Sequence, residues 1–362
     1  MDARFDIVVV GAGMAGASLA ARLGDRARVL VIEAEDRPGY HATGRSAAFW
    51  TESYGGPLVK PLTTASGPEL HRLGVLTPRG ALTIGRMGQE RQIAAFAETY
   101  GGVGIEVSTL NRAEIAARIP DLKAEWTCGV LEPSTCDIDV AALHQHYLAA
   151  ARKAGVDLWL RAGLAAAERI PGGWALALAD GRRVGCDVLV DAAGAWADAV
   201  AGKAGVHPLG IAPYRRTIAQ VAVEPVAPDA LPLVLDVGGR FYFKPESGRL
   251  WLSPHDETPS SPCDAAPEEI DVALAIDRFE QVVDRPVLRV EHRWAGLRSF
   301  APDRLPVYGF DPQDGAFFWF AGQGGFGIQT APAAAVLGAG LLLGQEGGEV
   351  DPWPFGARRF QR

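Results

Sequence analysis

Short runs of consecutive apolar residues, more than any alternation of apolar and polar positions, set the pattern of the first part of this chain. Residues 6–10 (DIVVV) and 29–32 (VLVI) are almost wholly apolar and β-branched, the form taken by strands covered on both faces. Between them Ala17, Leu19, Ala20 and Leu23 recur at helical spacing and stop at Gly24, so the order is strand, helix, strand. Two later runs, 186–192 (CDVLVDA) and 317–321 (FFWFA), predict further buried strands. Amphipathic patterns predict helices over 61–73, 90–100, 112–118, 140–154 and 268–279, the fourth capped by Asp139 and ended at Gly155. Short strands are expected at 80–87, 156–160, 163–169 and 174–179, with Pro171-Gly172-Gly173 turning between the last two. Residues 218–223, 241–243 and 250–252 read as antiparallel strands of a second sheet. No repeat of 20 to 50 residues is visible.

The turn after the first strand carries the first chemistry. Gly11, Gly13 and Gly16 form G-x-G-x-x-G, in which the first glycine permits a tight turn, the second lets backbone approach a pyrophosphate, and the third lets helix and strand pack closely. A helix N-terminus there offers free N–H groups and a positive dipole end to phosphate. Glu33 closes the second strand, where an acid can accept hydrogen bonds from a ribose diol. With strand, helix, strand and acid all in place, a dinucleotide site is the expectation. Ala193-Gly194-Ala195, following a buried strand, offers a second close backbone approach. A third glycine loop, residues 322–327, opens onto a last apolar helix. Residues 35–56 are turn-rich yet too apolar for an exposed loop, which suggests backbone lying against a flat ligand.

Composition narrows the partners. The 362 residues are 48% hydrophobic and 22% charged with a formal net charge of −8, enough for two domains or one woven through another. An acidic chain without a basic run is a poor match for nucleic acid. The first residues enter a strand without a signal-like apolar region, and the apolar stretch 331–343 is too short to span a bilayer, so a cytoplasmic location is expected. Cys128, Cys136, Cys186 and Cys263 lack metal-ligand spacing, and His144 and His146 cannot share a helix face, so no metal site is expected.

The opening unit, GYHATGRSAA, VDAAGAWAD and FAGQGGFGIQTAPA together resemble the glycine/D-amino-acid oxidase family of FAD enzymes. Within it, FYFKP, WAGLRSF and GGFGIQT are most similar to the bacterial D-arginine dehydrogenase type. The resemblance implies an α/β fold, α+β overall, with a Rossmann-like FAD-binding domain and an interwoven mixed-sheet substrate domain. Residues 1–80, 140–212 and 303–362 would form the first and 81–139 with 213–302 the second. It implies non-covalent FAD, because the covalent members carry a C-terminal cysteine and the last one here is Cys263. It places Gly11, Gly13, Gly16, Glu33 and Ala34 on the ADP half, Leu164 at adenine, and Ala193, Gly194 and Trp196 along the middle. Arg45, Ser46, Ala47 and Ala48 would follow the flavin. Gly325, Gly327, Ile328, Gln329 and Thr330 would reach its ribityl and carbonyl end, where N–H groups stabilise developing negative charge.

On the substrate side the resemblance makes Arg298 the carboxylate clamp, Tyr242 its partner and Arg216 a second active-site arginine in uncertain register with Arg215. Tyr54 and Thr51 belong to a loop that would lid the pocket, and Gln329 joins the catalytic group. Two departures bear on specificity: Ala81 follows Pro78-Arg79-Gly80 where the arginine-oxidising type has an acid, and Phe49 replaces a histidine. With Leu233, Leu235 and Val237 these make an apolar wall, against which a buried cation would lack a counter-charge. The function implied is FAD-dependent oxidation of hydrophobic D-amino acids to 2-oxo acid and ammonia, by hydride transfer from Cα to flavin N5. The electron acceptor is unidentified. Oxidation of a secondary or N-methyl amino acid or of a 2-hydroxy acid, or an inert flavin-binding subunit, are the alternatives.

Overall fold

Residues 3–345 and 347–361 are described by a computed structural model. Strand Ala3–Val10 runs parallel to Val29–Ile32 on one side and to Arg183–Asp191 on the other, at the centre of an eight-stranded sheet. Asp157–Trp159 extends the parallel set beyond Val29–Ile32, and Phe317–Ala321 extends it beyond Arg183–Asp191. The Arg183–Asp191 strand shares one edge between two partners. Its first half pairs antiparallel with Gly173–Leu178 and its second half parallel with Phe317–Ala321. Val8, Val9, Leu30, Val190 and Phe318 are fully buried, as uninterrupted apolar runs require.

Two helices set one end of this sheet. Met14–Leu23 follows the first strand, and Ala331–Leu343 follows the Phe317–Ala321 strand through the glycine loop. The second helix has no polar face and is buried on most sides, packed on Met14–Leu23, on helix Lys60–Arg72 and on strand Val307–Phe310. Its small residues set the spacing: a Cβ added at Gly338 would lie 2.7 Å from the Phe320 ring. No described helix is long and apolar enough to cross a membrane.

The second sheet has ten strands. Its core is the long antiparallel pair Ala212–Val223 and Val287–Phe300, continued through Arg249–Ser253, Tyr242–Glu246, Leu233–Asp236, Ala81–Arg86 and Trp126–Glu132. Hydrophobic patterning misses Val287–Phe300 because its outer half is exposed and carries charge, while burial begins only at Ala295 and recurs at Leu297 and Ser299. A small three-stranded sheet, Phe49–Trp50, Cys136–Ile138 and Leu76–Pro78, lies beside the two large ones.

Candidate active site

The dinucleotide turn is closed by backbone contact. Gly11 has φ of 102°, and a Cβ there would sit 2.6 Å from the Ala192 carbonyl; one on Gly16 would sit 1.9 Å from the Gly11 carbonyl. Glu33 braces this turn, accepting from the Ala12 amide at 2.8 Å and the Glu35 amide at 3.0 Å. Each oxygen keeps lone pairs for a further donor. Distant residues complete the first helical turn. The Met14 amide donates to Thr43 Oγ1 at 2.9 Å, and His144 Nε2 donates to the Ala12 carbonyl at 2.9 Å. Burial lowers the His144 pKa, which keeps the imidazole neutral. No acid occupies the first turn of helix Met14–Leu23 itself, and Glu33 takes up the Ala12 amide just before it, so the N–H groups of the first turn remain suited to an anion.

From this turn a largely apolar cavity of about 380 Å³ runs between the two sheets. Glu33, Ala34 and Leu164 belong to its wall, as do Gly11, Gly13, Ala193, Gly194 and Trp196. So do Arg45, Ser46 and Ala47, then Gly325, Gly327 and Ile328. Two residues without an assigned role also contribute. Lys203 Nζ holds the Leu164 carbonyl at 2.6 Å, and His41, paired to Glu35 at 2.9 Å, packs its ring 4.5 Å from that of Trp196. Arg45 spends its guanidinium on the Ala265 carbonyl, the Ala295 carbonyl and Asp264, which ties the loop carrying Cys263 to the cavity edge. An elongated apolar cavity that starts at a braced glycine turn fits an adenine dinucleotide.

Four expected contacts lie off this wall. Gly16 faces the Gly11 carbonyl, where it sets the packing of helix on strand. Ala48 packs beside Met14 and Trp50, and its carbonyl accepts from the Ile138 amide at 3.2 Å. The Thr330 hydroxyl is bonded to the Phe326 carbonyl at 2.9 Å. Gln329 is fully committed to the predicted lid: its Oε1 accepts from the Thr51 amide at 3.1 Å, and its Nε2 donates to the Tyr54 carbonyl at 3.2 Å and to Thr63 Oγ1 at 3.0 Å. Its side chain therefore shapes the loop and does not face the cavity.

At the far end of the cavity stand two arginines. Arg298 makes no hydrogen bond or ion pair with any described residue, and its guanidinium carbon lies 5.9 Å from the centre of the Tyr54 ring. A Cβ on Gly325 would fall 1.9 Å from the Tyr54 hydroxyl and 3.0 Å from the Arg298 guanidinium carbon, so only a glycine lets these groups meet. The register at 215–216 is settled by partners. Arg215 pairs with Asp271 at 3.1 Å and with Glu268, whereas Arg216 lines the cavity. Arg216 donates to the Asp256 carbonyl at 2.7 Å and approaches Glu257 at 3.3 Å, leaving Nη1 buried without a partner. Burial and the neighbouring Arg298 charge pull its pKa down to about 10.

Beside them lies an apolar cluster of Ala47, Phe49, Ala81, Ile218, Leu233 and Tyr242, with Tyr54 and Leu235 packed against it. The predicted wall residues Phe49, Ala81, Leu233 and Leu235 meet in this cluster but do not themselves line the cavity, whose wall takes Ala47, Ile218 and Tyr242 from it. Val237 lies past the end of its strand with its amide on the Ile84 carbonyl at 2.9 Å. Tyr242 is held between Phe49 and His255, at ring separations of 6.1 and 5.7 Å. His255 escaped the sequence reading. Burial and the two arginines push its pKa down to about 3, and its Nδ1 lies 2.6 Å from the Gly239 carbonyl, so it is neutral and donates there. Lys244, on the Tyr242 side of its strand, is neutralised by Asp137 at 2.7 Å and Glu246 at 3.1 Å.

The sequence model of a family described as FAD dependent oxidoreductase matches residues 6–341. Hydrogen cyanide synthase subunit HcnC of Pseudomonas aeruginosa is 24% identical, over all of this chain and 97% of its own length. Glycine oxidase of the same organism is 30% identical over 202 residues, 54% of this chain and 50% of that protein. Among solved structures, glycine oxidase from Geobacillus kaustophilus superposes with a TM-score of 0.86 at 23% identity, covering 98% of this chain and 99% of that one. L-proline dehydrogenase from P. horikoshii gives 0.86 at 20% identity, covering 99% and 98%. At such identities the structural likeness speaks for the fold.

Proposed function

The chain belongs to the DAO family of FAD-dependent oxidoreductases, and on that premise we propose that it oxidises a D-amino acid with an apolar side chain to a 2-oxo acid and ammonia. The segments of the first sheet would hold FAD and those of the second the amino acid. The observation that carries this reading is Arg298, whose side chain has no hydrogen-bond or ion-pair partner among the described residues, lying over the Tyr54 ring and sharing the end of the dinucleotide cavity with Tyr242 and its apolar cluster.

Arg298 would take the substrate carboxylate through its planar fork, and the Tyr242 and Tyr54 hydroxyls would fix its orientation. One carboxylate neutralises one guanidinium. Arg216, paired with Glu257 at 3.3 Å and Asp256 at 3.8 Å, would stand at the same end of the cavity, and the α-ammonium must lose a proton to solvent to free the nitrogen lone pair. FAD, when bound, accepts the two electrons and the hydrogen that leave Cα. Ala47, Ile218 and Tyr242, the members of the apolar cluster that line the cavity, would keep water from that carbon, so positioning and electrostatics would supply the catalysis and no side chain need serve as a strong base. The imine product adds water and releases ammonia.

The side-chain preference rests on where the acids are. Asp236 follows Leu235 onto the opposite face of its strand and pairs with Arg240 at 2.8 Å, and Glu52 is bonded to Thr64 beside Lys60. Glu132, the acid opposite Ala81, has its two oxygens taken by the Glu52 amide and the Ser53 hydroxyl. A cationic substrate side chain would then meet mainly apolar walls, while each added methylene gains about 0.8 kcal/mol. The test is flavin bleaching on anaerobic addition of D- and L-amino acids, with proline and a 2-hydroxy acid included. Glycine oxidase and L-proline dehydrogenase make glycine and the secondary amine necessary controls. D-Leu, D-Met or D-Phe should exceed D-Arg in kcat/KM by at least roughly tenfold, about 1.4 kcal/mol. Preference for D-Arg, or for the L series, would overturn the assignment.

A further inference from the structure

Glu132 is buried to 2% exposure at the end of strand Trp126–Glu132, and it pairs with Ala81 across the sheet, on the face that carries the apolar cluster. No described cation forms an ion pair with it, and its two oxygens are directed at one loop. Oε1 accepts from the Glu52 amide at 2.8 Å and Oε2 accepts from the Ser53 hydroxyl at 2.6 Å. A carboxylate buried without a counter-charge is a poor source of stability, since an apolar residue of similar volume would serve as well or better. Its placement is explained by what it holds.

We propose that Glu132 is a positioning residue that fastens residues 51–54 over the active site, an inference that rests on the substrate reading above. Every residue of the segment is tied down. Thr51 is held by Gln329 and by Thr135, whose hydroxyl lies 2.9 Å from that of Thr51; Glu52 and Ser53 are held by Glu132; and the Tyr54 carbonyl is held by Gln329. Beyond Tyr54 the chain turns through Gly55 and Gly56, both with positive φ. What the fastening sets is the Tyr54 ring, packed 5.6 Å from Phe49 and 6.0 Å from Phe326, with its hydroxyl over Gly325 and its face toward Arg298. Without Glu132 the middle of the segment keeps only the Glu52 side chain's contacts with Thr64 and Lys60, while the Thr51 amide and the Tyr54 carbonyl stay on Gln329. The backbone between those two ends is then freer, and the Tyr54 ring is less firmly set beside the carboxylate clamp.

The experiment combines amide hydrogen exchange of peptides covering residues 49–58 with steady-state kinetics, on the FAD-loaded wild type, Glu132→Gln, Glu132→Ala and Ser53→Ala. In Glu132→Ala the segment should exchange at least about tenfold faster, with kcat/KM down at least about tenfold, mostly through a higher KM. Glu132→Gln keeps an acceptor for the Glu52 amide and should restore both quantities to within about threefold of wild type. Ser53→Ala removes one bond and should fall between, which keeps the test decisive if Glu132→Ala does not fold. Unchanged exchange in Glu132→Ala and Ser53→Ala would overturn the fastening. A Glu132→Gln enzyme that kept apolar substrates but lost D-Arg would also overturn it, making Glu132 a counter-charge for a cationic side chain. If no amino acid reduces the wild-type flavin, the substrate reading fails and the exchange data alone decide the fastening.

Discussion

At the scale of single residues, the unpaired Arg298 makes the sharpest prediction. Arg298→Ala would strand a desolvated carboxylate and should cost on the order of 3–5 kcal/mol in kcat/KM. Arg298→Lys should recover little, because an ammonium cannot reproduce the fork. Kinetics near wild type for either variant would remove Arg298 from the site. Arg298, Tyr242 and Arg216 could be singled out because each sits in a phrase that resembles a family pattern. His255 and Glu132 sit in no such phrase, and Thr43, though inside GYHATGRSAA, has a role that the phrase does not reveal. Each acts alone, across 13 to 80 residues of chain, on a ring, an amide or a loop that no spacing rule connects to it. Glu132 also changes what Ala81 means. Ala81→Glu, the obvious route to a cation-binding pocket, would set a second carboxylate directly opposite a buried one, and like charges across a strand pair repel.

At the scale of elements, the glycine turn is a unit whose failure is specific. A Cβ at Gly16 would be driven into the Gly11 carbonyl, which is backbone and cannot swing aside, so Gly16→Ala must push helix Met14–Leu23 away from the strand that precedes it. FAD affinity, measured by fluorescence titration, should fall at least roughly tenfold, about 1.4 kcal/mol. Gly102→Ala, where an added Cβ meets nothing within 4 Å, is the control expected to bind normally. Equal affinities for the two variants would mean that the turn does not form the phosphate site. The first sheet was legible in the sequence because strands covered on both faces need uninterrupted apolar runs, and Ala3–Val10, Val29–Ile32, Arg183–Asp191 and Phe317–Ala321 all have one. The second sheet was legible in part. Val287–Phe300 is wetted over half its length and Leu233–Asp236 has only four residues, so at these two strands burial leaves only a fragment of the period to read.

At the scale of the whole molecule, cofactor and fold should stabilise each other. Because the cavity is walled by residues from both ends of the chain, FAD bound there would raise stability by mass action, about 2.7 kcal/mol at a hundredfold excess over Kd. The apoprotein should melt several degrees lower, and denaturation should release free yellow FAD. Colour remaining with the precipitate would point to Cys263, a cysteine at the cavity wall. The shared edge of the Arg183–Asp191 strand has a further consequence, for the order of events during synthesis. Half of that edge waits for residues 317–321, and the cavity waits for Gly325 and Ile328, although Gly11 leaves the ribosome near the start. At typical elongation rates of 5–20 residues per second, the glycine turn spends roughly 15 to 60 seconds without the strand and loop that complete it. A nascent chain halted before residue 317 should therefore capture no FAD, and its unpaired half-edge is where a chaperone would be expected to bind.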